Sequence, residues 1–143
     1  MVDALSRACR WVRPPHGCLV DLRPADIHPD VELGLLDGTV LHVGGLVVDD
    51  ERRRRHAAAD AAVRTTVDRG LVCVKNQQVF SFYRYPDSPD ELRDYIAAKW
   101  QYTHMDASTH ARACGLLREN PGARLWLRER VGIRLLVPRA FLS

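Results

Sequence analysis

The stretch from Ala123 to Val137 constrains this chain more than any other. Leu125, Leu127, Val131, Ile133, Leu135 and Val137 fall on one parity, and Arg128, Arg130 and Arg134 fall on the other. A period of two is the mark of an extended strand, whose successive side chains point to opposite faces. The alternation predicts a sheet with one covered, apolar face and one wetter, charged face. The charged face is also a candidate contact surface.

Breakers and periodicity place the other elements. Residues 3–12 predict the end of an amphipathic helix, with Ala4, Leu5, Ala8 and Trp11 or Val12 at helical steps, stopped by Pro14, Pro15 and Gly17. Cys18–Leu22 is a short apolar run between Gly17 and Pro24 and predicts a buried strand. Val31–Val43 predicts a β-hairpin, because Asp37-Gly38 suits a two-residue type I′ turn with positive φ at both positions. That turn pairs Leu36 with Thr39, Leu35 with Val40 and Leu33 with His42. Both faces then carry apolar groups, so the hairpin is expected to be covered on both sides or to form an interface.

Asp49-Asp50-Glu51 opens a helix that runs through Arg52–Arg55 and Ala57–Val67 to Gly70, with a small-residue stripe of Ala59, Ala62, Val63, Thr66 and Val67. Leu71–Val74 and Val79–Tyr85 predict two strands separated by a turn at Asn76-Gln77-Gln78. Ser88-Pro-Asp-Glu91 is a capping box with proline at the first helical position, and the helix it starts turns Leu92, Tyr95, Ile96 and Trp100 inward. A further helix, 107–119, uses Ala107, Ala111, Cys114 and Leu117, and Asn120-Pro-Gly122 ends it. The expected class is α+β: a small mixed, mostly antiparallel sheet (strand, hairpin, two or three C-terminal strands) packed with three or four helices. It is read as one domain over 1–143.

Composition narrows the functional classes. Hydrophobic residues make up 46% and charged residues 27%, the balance of a soluble globular chain. No apolar run approaches the roughly 20 residues that span a bilayer, and Met1 to Val12 carries no signal-peptide core. A cytoplasmic location is expected. The net charge is +3, and every basic residue except Lys75 and Lys99 is Arg. That bias reads as the codon usage of a GC-rich genome, and the charge is too slight and too spread for a nucleic-acid surface. Four cysteines at 9, 18, 73 and 114 show no CxxC spacing, so reduced, mostly buried thiols are expected.

Several residues have side chains that can carry chemistry. His110 and Cys114 stand four apart on a predicted helix with His104 upstream, but nothing completes the tetrahedral set that zinc needs. His16 and Cys18 fall on one face of a predicted strand, yet Cys18 heads an apolar run, so burial is the better reading. Asp90 and Glu91 are explained by helix capping. The Arg52–Arg55 block reads as a solvated helix start before it reads as a phosphate or acidic-partner patch. There is no P-loop and no GxGxxG.

Residues 4–24, Ala-Leu-Ser-Arg-Ala-Cys-Arg-Trp-Val-Arg-Pro-Pro-His-Gly-Cys-Leu-Val-Asp-Leu-Arg-Pro, resemble a recurrent piece of class I, Rossmann-like S-adenosylmethionine-dependent methyltransferases. In that family a helix ends in a Pro-Gly-Gly turn and feeds the fifth strand of the sheet; here the turn is Pro14-Pro15-His16-Gly17. The Asp37-Gly38 hairpin, the acidic-then-Arg helix start at 49–55, Phe80-Ser-Phe-Tyr-Arg-Tyr85, Ser88-Pro-Asp-Glu-Leu-Arg-Asp-Tyr95 and Ala-Arg-Leu-Trp-Leu-Arg-Glu-Arg130 continue the likeness to the second half of a bacterial branch.

The resemblance implies a methyltransferase C-terminal half that lacks the N-terminal, cofactor-binding half. No position matches the Gly-rich loop or the acid that holds the ribose hydroxyls. The expectation is therefore no catalytic or cofactor-binding residue in the chain alone, and S-adenosylmethionine only if another chain completes it. The substrate-side candidates are Tyr83, Tyr85, Trp100 and His104, polar or aromatic groups near element ends. An open apolar edge at Cys18–Leu22 implies self-association or a complementing chain. The alternative is a non-enzymatic small-ligand-binding or dimerisation module of independent α+β fold.

Overall fold

The computed structural model describes residues 2–13 and 17–139. The expectations placed on Pro14, Pro15 and His16 lie outside the described residues. In chain order the elements are α1 (Val2–Trp11), β1 (Leu19–Pro24), β2 (Asp30–Gly34), β3 (Val40–Gly45), β4 (Val47–Val48), α2 (Asp50–Asp68), β5 (Val72–Arg84), α3 (Pro89–Lys99), β6 (Thr103–His104), α4 (Ala107–Glu119) and β7 (Arg124–Pro138). The class is α+β, and the registered pairings are antiparallel. β7 takes β1, β2 and β5 as neighbours. The chain divides into two compact units, 1–25 with 53–80 and 131–143, and 26–52 with 81–130.

In the first unit, β1 pairs with the last part of β7 from Leu19↔Leu136 to Pro24↔Val131. Asp49 starts α2 by accepting from the Arg52 amide at 3.1 Å. Gly70 ends it at φ +68°, where an L side chain is strained. Its N–H donates to Val67 O and the Leu71 N–H donates to Thr66 O, which is the paired closure of a Schellman motif. Ala62, Val63 and Thr66 are buried on the expected stripe. The buried apolar cluster is small: Val63, Val72 and Leu136, with Leu5, Cys9, Leu19 and Val67 packed against it.

The strand at Cys18–Leu22 is not the buried strand its sequence suggests. Val20 and Leu22 are each 58% exposed, and Cys18 is exposed as well. β1 stands at the end of its strand order, with β7 as its single strand neighbour among the described residues. An apolar run reports that a strand wants cover, and nothing described supplies that cover here.

The second unit holds the larger core. Val31, Leu33, Val43, Leu46, Leu92, Ile96, Met105, Ala113, Leu125 and Leu127 form one buried cluster. β2 lies between β3 and the first part of β7, pairing Leu33 with Leu41 on one side and with Leu125 on the other. Its residues Val31, Glu32 and Leu33 are all buried, as expected for a hairpin strand covered on both faces. Ser88 caps α3 by accepting from the Glu91 amide at 3.1 Å, and Leu92 and Ile96 are fully buried. Asp106 caps α4 by accepting from the Thr109 amide at 2.8 Å.

Four further sequence expectations are corrected. The hairpin turns through three residues, not two: the Leu35 amide donates to Thr39 O and the Gly38 amide donates to Leu35 O, with Gly38 at φ +87°. This loop, with glycine in the left-handed region, shifts the register to Gly34↔Val40 and Leu33↔Leu41. A bulge at Val31/Glu32 then restores the offset. There is no turn at Asn76-Gln77-Gln78; β5 runs unbroken, because no glycine or proline stands between Val72 and Arg84 to break the strand. On α4 the buried residues are Thr109 and Ala113, and Leu117 packs against the core as expected, while Ala107 and Ala111 are exposed. Gly44 makes this possible: a Cβ there would fall 2.6 Å from Thr109 Oγ1. Finally, β7 does not keep one apolar face. Leu125 and Leu127 are buried at its start, but Leu136 and Pro138 are buried at its end, on the other parity.

Candidate functional site

β5 ends in the second unit with Tyr83, Arg84 and then Tyr85 beyond the strand. Alternation sends Tyr83 and Tyr85 to one side, and there they meet Trp126 of β7. The two tyrosine rings stack with centroids 6.3 Å apart, and each meets the indole edge-on, at 6.1 and 6.0 Å. Such offset and edge-to-face contacts are the favoured aromatic geometries.

Trp126 is held from below. Its Nε1–H donates to Glu32 Oε2 at 2.8 Å, across the Glu32↔Trp126 pair of the β2–β7 ladder. Arg128 lies 2.9 Å from Glu32 and donates to Asp30 at 2.8 Å. Gly34 gives the indole its seat, because a Cβ there would fall 2.2 Å from the ring. Tyr85 also borders a cavity of about 410 Å³ lined by Pro86, Asp87, Leu117, Arg124 and Leu125.

The even side of β5 builds a second group. The Arg84 guanidinium lies 4.2 Å from the Tyr95 ring centroid, and Tyr95 meets Trp100 edge-on at 6.5 Å. Arg52 sits 5.3 Å over Trp100 and donates to Thr103 Oγ1 at 2.6 Å. Arg52 thus folds back as a cation–π partner, while Arg53, Arg54 and Arg55 are exposed. Burial pushes the Glu129 carboxyl up, against the opposing charges of Arg84 and Arg52. Burial likewise lowers Arg52, against the charges of Glu129 and Asp49.

Of the four expected substrate-side residues, Tyr83 and Tyr85 come together, Trp100 joins the other aromatic group, and His104 stands on β6 paired with Val47. Trp126 and Glu32 are not among those expected residues. The signal that could have found them is a tryptophan on the charged parity of the closing strand, matched by a glycine in the hairpin it pairs with. No group of three or more His, Cys, Asp or Glu side chains among the described residues could hold a metal ion.

In the first unit the polar residues form an ion-pair network. Arg23 grips Asp21 through Nε and Nη2, at 2.7 and 2.9 Å, and reaches Asp60 at 3.0 Å. Arg134 reaches the same Asp60 oxygen at 3.3 Å. His56 donates through Nε2 to Pro24 O at 2.8 Å and turns Nδ1 toward Asp60 at 3.7 Å. An apolar hollow of about 220 Å³ opens beside it, lined by Ala4, Leu5, Ala59 and Val63 with Asp21 and Arg23.

The chain matches no family model, no curated protein and no solved structure. No helix among the described residues is long and apolar enough to cross a membrane.

Proposed function

We propose that this chain is methyltransferase-like, corresponding to the C-terminal part of a class I S-adenosylmethionine-dependent enzyme, and that it does not catalyse alone. The observation that carries the reading is the environment of β1. It follows α1, pairs antiparallel with the closing strand, which also takes β5, and leaves its other edge without a strand among the described residues. That is the setting expected for the fifth strand of the family's sheet once its inner neighbours are supplied elsewhere. The exposure of Val20 and Leu22 and the small core of the first unit support it. A complementing chain, or a second copy, would add at this edge through main-chain hydrogen bonds.

The residues present do not fit the cofactor. A nucleotide-type cradle uses glycines whose missing Cβ lets a ligand approach the backbone. Here the space beside Gly34, Gly44 and Gly122 is already filled by Trp126, Thr109 and Leu36. Gly38 and Gly115 face open space, but one is a hairpin turn and the other is alone within α4. No step through S-adenosylmethionine is therefore assigned to this chain. The aromatic group of Tyr83, Tyr85 and Trp126 is the substrate-side surface in this reading.

Two measurements test it. Calorimetric titration of the chain with S-adenosylmethionine is expected to give no heat of binding, and micromolar affinity would overturn the reading. Light scattering at micromolar concentration is expected to show association that the double substitution Val20→Lys, Leu22→Glu weakens. A well-folded wild-type monomer would count against an edge that needs a partner. The second reading, a non-enzymatic ligand-binding module, is favoured only by the cavity beside Tyr85. As a ligand-binding module it predicts a monomer, and as a dimerisation module it predicts a dimer that the Val20→Lys, Leu22→Glu substitution leaves intact.

A further inference from the structure

His110 and Cys114 lie one turn apart on α4, and His110 Nδ1 is 4.0 Å from Cys114 Sγ. The other ring nitrogen, Nε2, is 3.0 Å from Asp90 Oδ1 on α3. A carboxylate only accepts, so Nε2 carries the proton, and the lone pair that serves as base is the one on Nδ1, on the side of the thiol. Arg93 lies 2.9 Å from the same Asp90 oxygen and holds the carboxylate in place. Helical spacing alone brings His110 beside Cys114. It does not account for a second helix that supplies a carboxylate to the far nitrogen. Thiol, imidazole and carboxylate in this order aim a base at a nucleophile.

Gly115 is an independent observation. It sits inside α4, where glycine costs about 1 kcal/mol relative to alanine. A Cβ at that position would meet nothing within 4 Å, so no packing demand accounts for the glycine. Its effect is to leave no side chain at the position that follows Cys114, a half-buried thiol. Arg118 follows one turn beyond Cys114 and is exposed.

We propose that Cys114 is a thiol–disulfide exchange site for small anionic disulfides, with His110 as its base and Asp90 as a positioning residue. The helix interior decides the chemistry. Backbone N–H groups around Cys114 are engaged within α4, so no oxyanion site stands beside it and acyl transfer is not served. Exchange between sulfurs needs no such site. The Cys114 thiol gives its proton to His110 Nδ1, and Sγ attacks one sulfur of the disulfide. The new S–S bond forms as the old one breaks, and the departing thiolate takes the proton from Nδ1 and leaves as a thiol. The products are a mixed disulfide on Cys114 and one small thiol; the reverse reaction restores the protein. Arg118, four residues beyond Cys114 on the same side of α4, offers its positive charge to the attached group.

The test uses the full chain with oxidised glutathione at neutral pH, following each cysteine by peptide mass spectrometry, with the more exposed Cys18 as internal reference. Cys114 is expected to react faster than Cys18. His110→Ala should slow Cys114 by about tenfold or more while leaving Cys18 unchanged, as loss of a general base predicts. Asp90→Asn, which still accepts from Nε2–H, should keep most of the rate, whereas Asp90→Ala should lose it. Arg118→Ala should reduce the preference for oxidised glutathione over the uncharged 2-hydroxyethyl disulfide. A Cys114 no faster than Cys18, or a rate indifferent to His110→Ala, would overturn the proposal.

Discussion

The indole of Trp126 lies where a side chain at Gly34 would have to be: a Cβ built on Gly34 falls 2.2 Å from two of its ring carbons. The rigid ring cannot yield as the tip of a flexible chain would. Gly34→Ala is therefore expected to expel the indole from its seat, break the 2.8 Å bond to Glu32, and cost about 1–3 kcal/mol, the range for overpacking. Chemical denaturation reads the loss, and a shifted tryptophan emission reads the displaced ring. Unchanged stability and emission would mean that the ring is not seated as described.

Gly44 and Thr109 make a second interlocking pair, and a double-mutant cycle can measure it. Gly44→Ala places a methyl group 2.6 Å from Thr109 Oγ1 and should destabilise the second unit. Thr109→Ala removes the obstructing atoms. The two substitutions together should cost less than the sum of the singles, with a coupling of about 0.5–3 kcal/mol.

Asp60 sets a pH dependence whose sign follows from its neighbours. Burial works to raise it, but the charges of Arg23 and Arg134, then His56, outweigh burial and hold it below its ordinary 3.8. Arg23 shows the matching response: burial would lower it, but bonding to Asp21 and the charges of Asp21 and Asp60 leave it raised. The folded state thus binds the Asp60 proton less tightly than the unfolded state. Its contribution is complete above 3.8 and fades as pH falls through the folded value. Asp60→Asn should cost about 1 kcal/mol at neutral pH, a modest figure because solvent and salt screen the network. The wild-type advantage should shrink in strong acid, as read by thermal unfolding across pH.

Gly70 tests the closure of α2. Its φ of +68° and its paired bonds with Val67 and Thr66 form a cap that alanine fits only with strain. Gly70→Ala should cost about 1 kcal/mol. Gly115→Ala, in open space within a helix, should instead gain stability by a similar amount.

Much of the architecture was legible because local chemistry set it. Ser88 and Asp106 cap their helices with side chains that have few other uses, and Gly70 closes α2 where the pattern stops. The α+β class followed from the same signals. The errors lie where a neighbour decides. The hairpin register depends on whether Gly38 closes a two- or a three-residue loop, which Asp37-Gly38 leaves open. The buried face of α4 depends on a glycine more than sixty residues earlier that admits Thr109. The aromatic site was half legible: Tyr83 and Tyr85 share a parity, but Trp126 joins them only through strand pairing. His110 and Cys114 could be matched by helical spacing, whereas Asp90 became visible only when two helices met.

The two parities of β7 have a further consequence, for how this gene can change length. Leu127 and Leu136, each buried, are separated by an odd step along one strand. Loss of a single residue between them would turn one of the two leucines away from its core, while loss of two would preserve both orientations. Insertions and deletions in this segment should thus be tolerated in pairs and purged singly. The middle of β7 then acts as a ruler whose unit is the dipeptide.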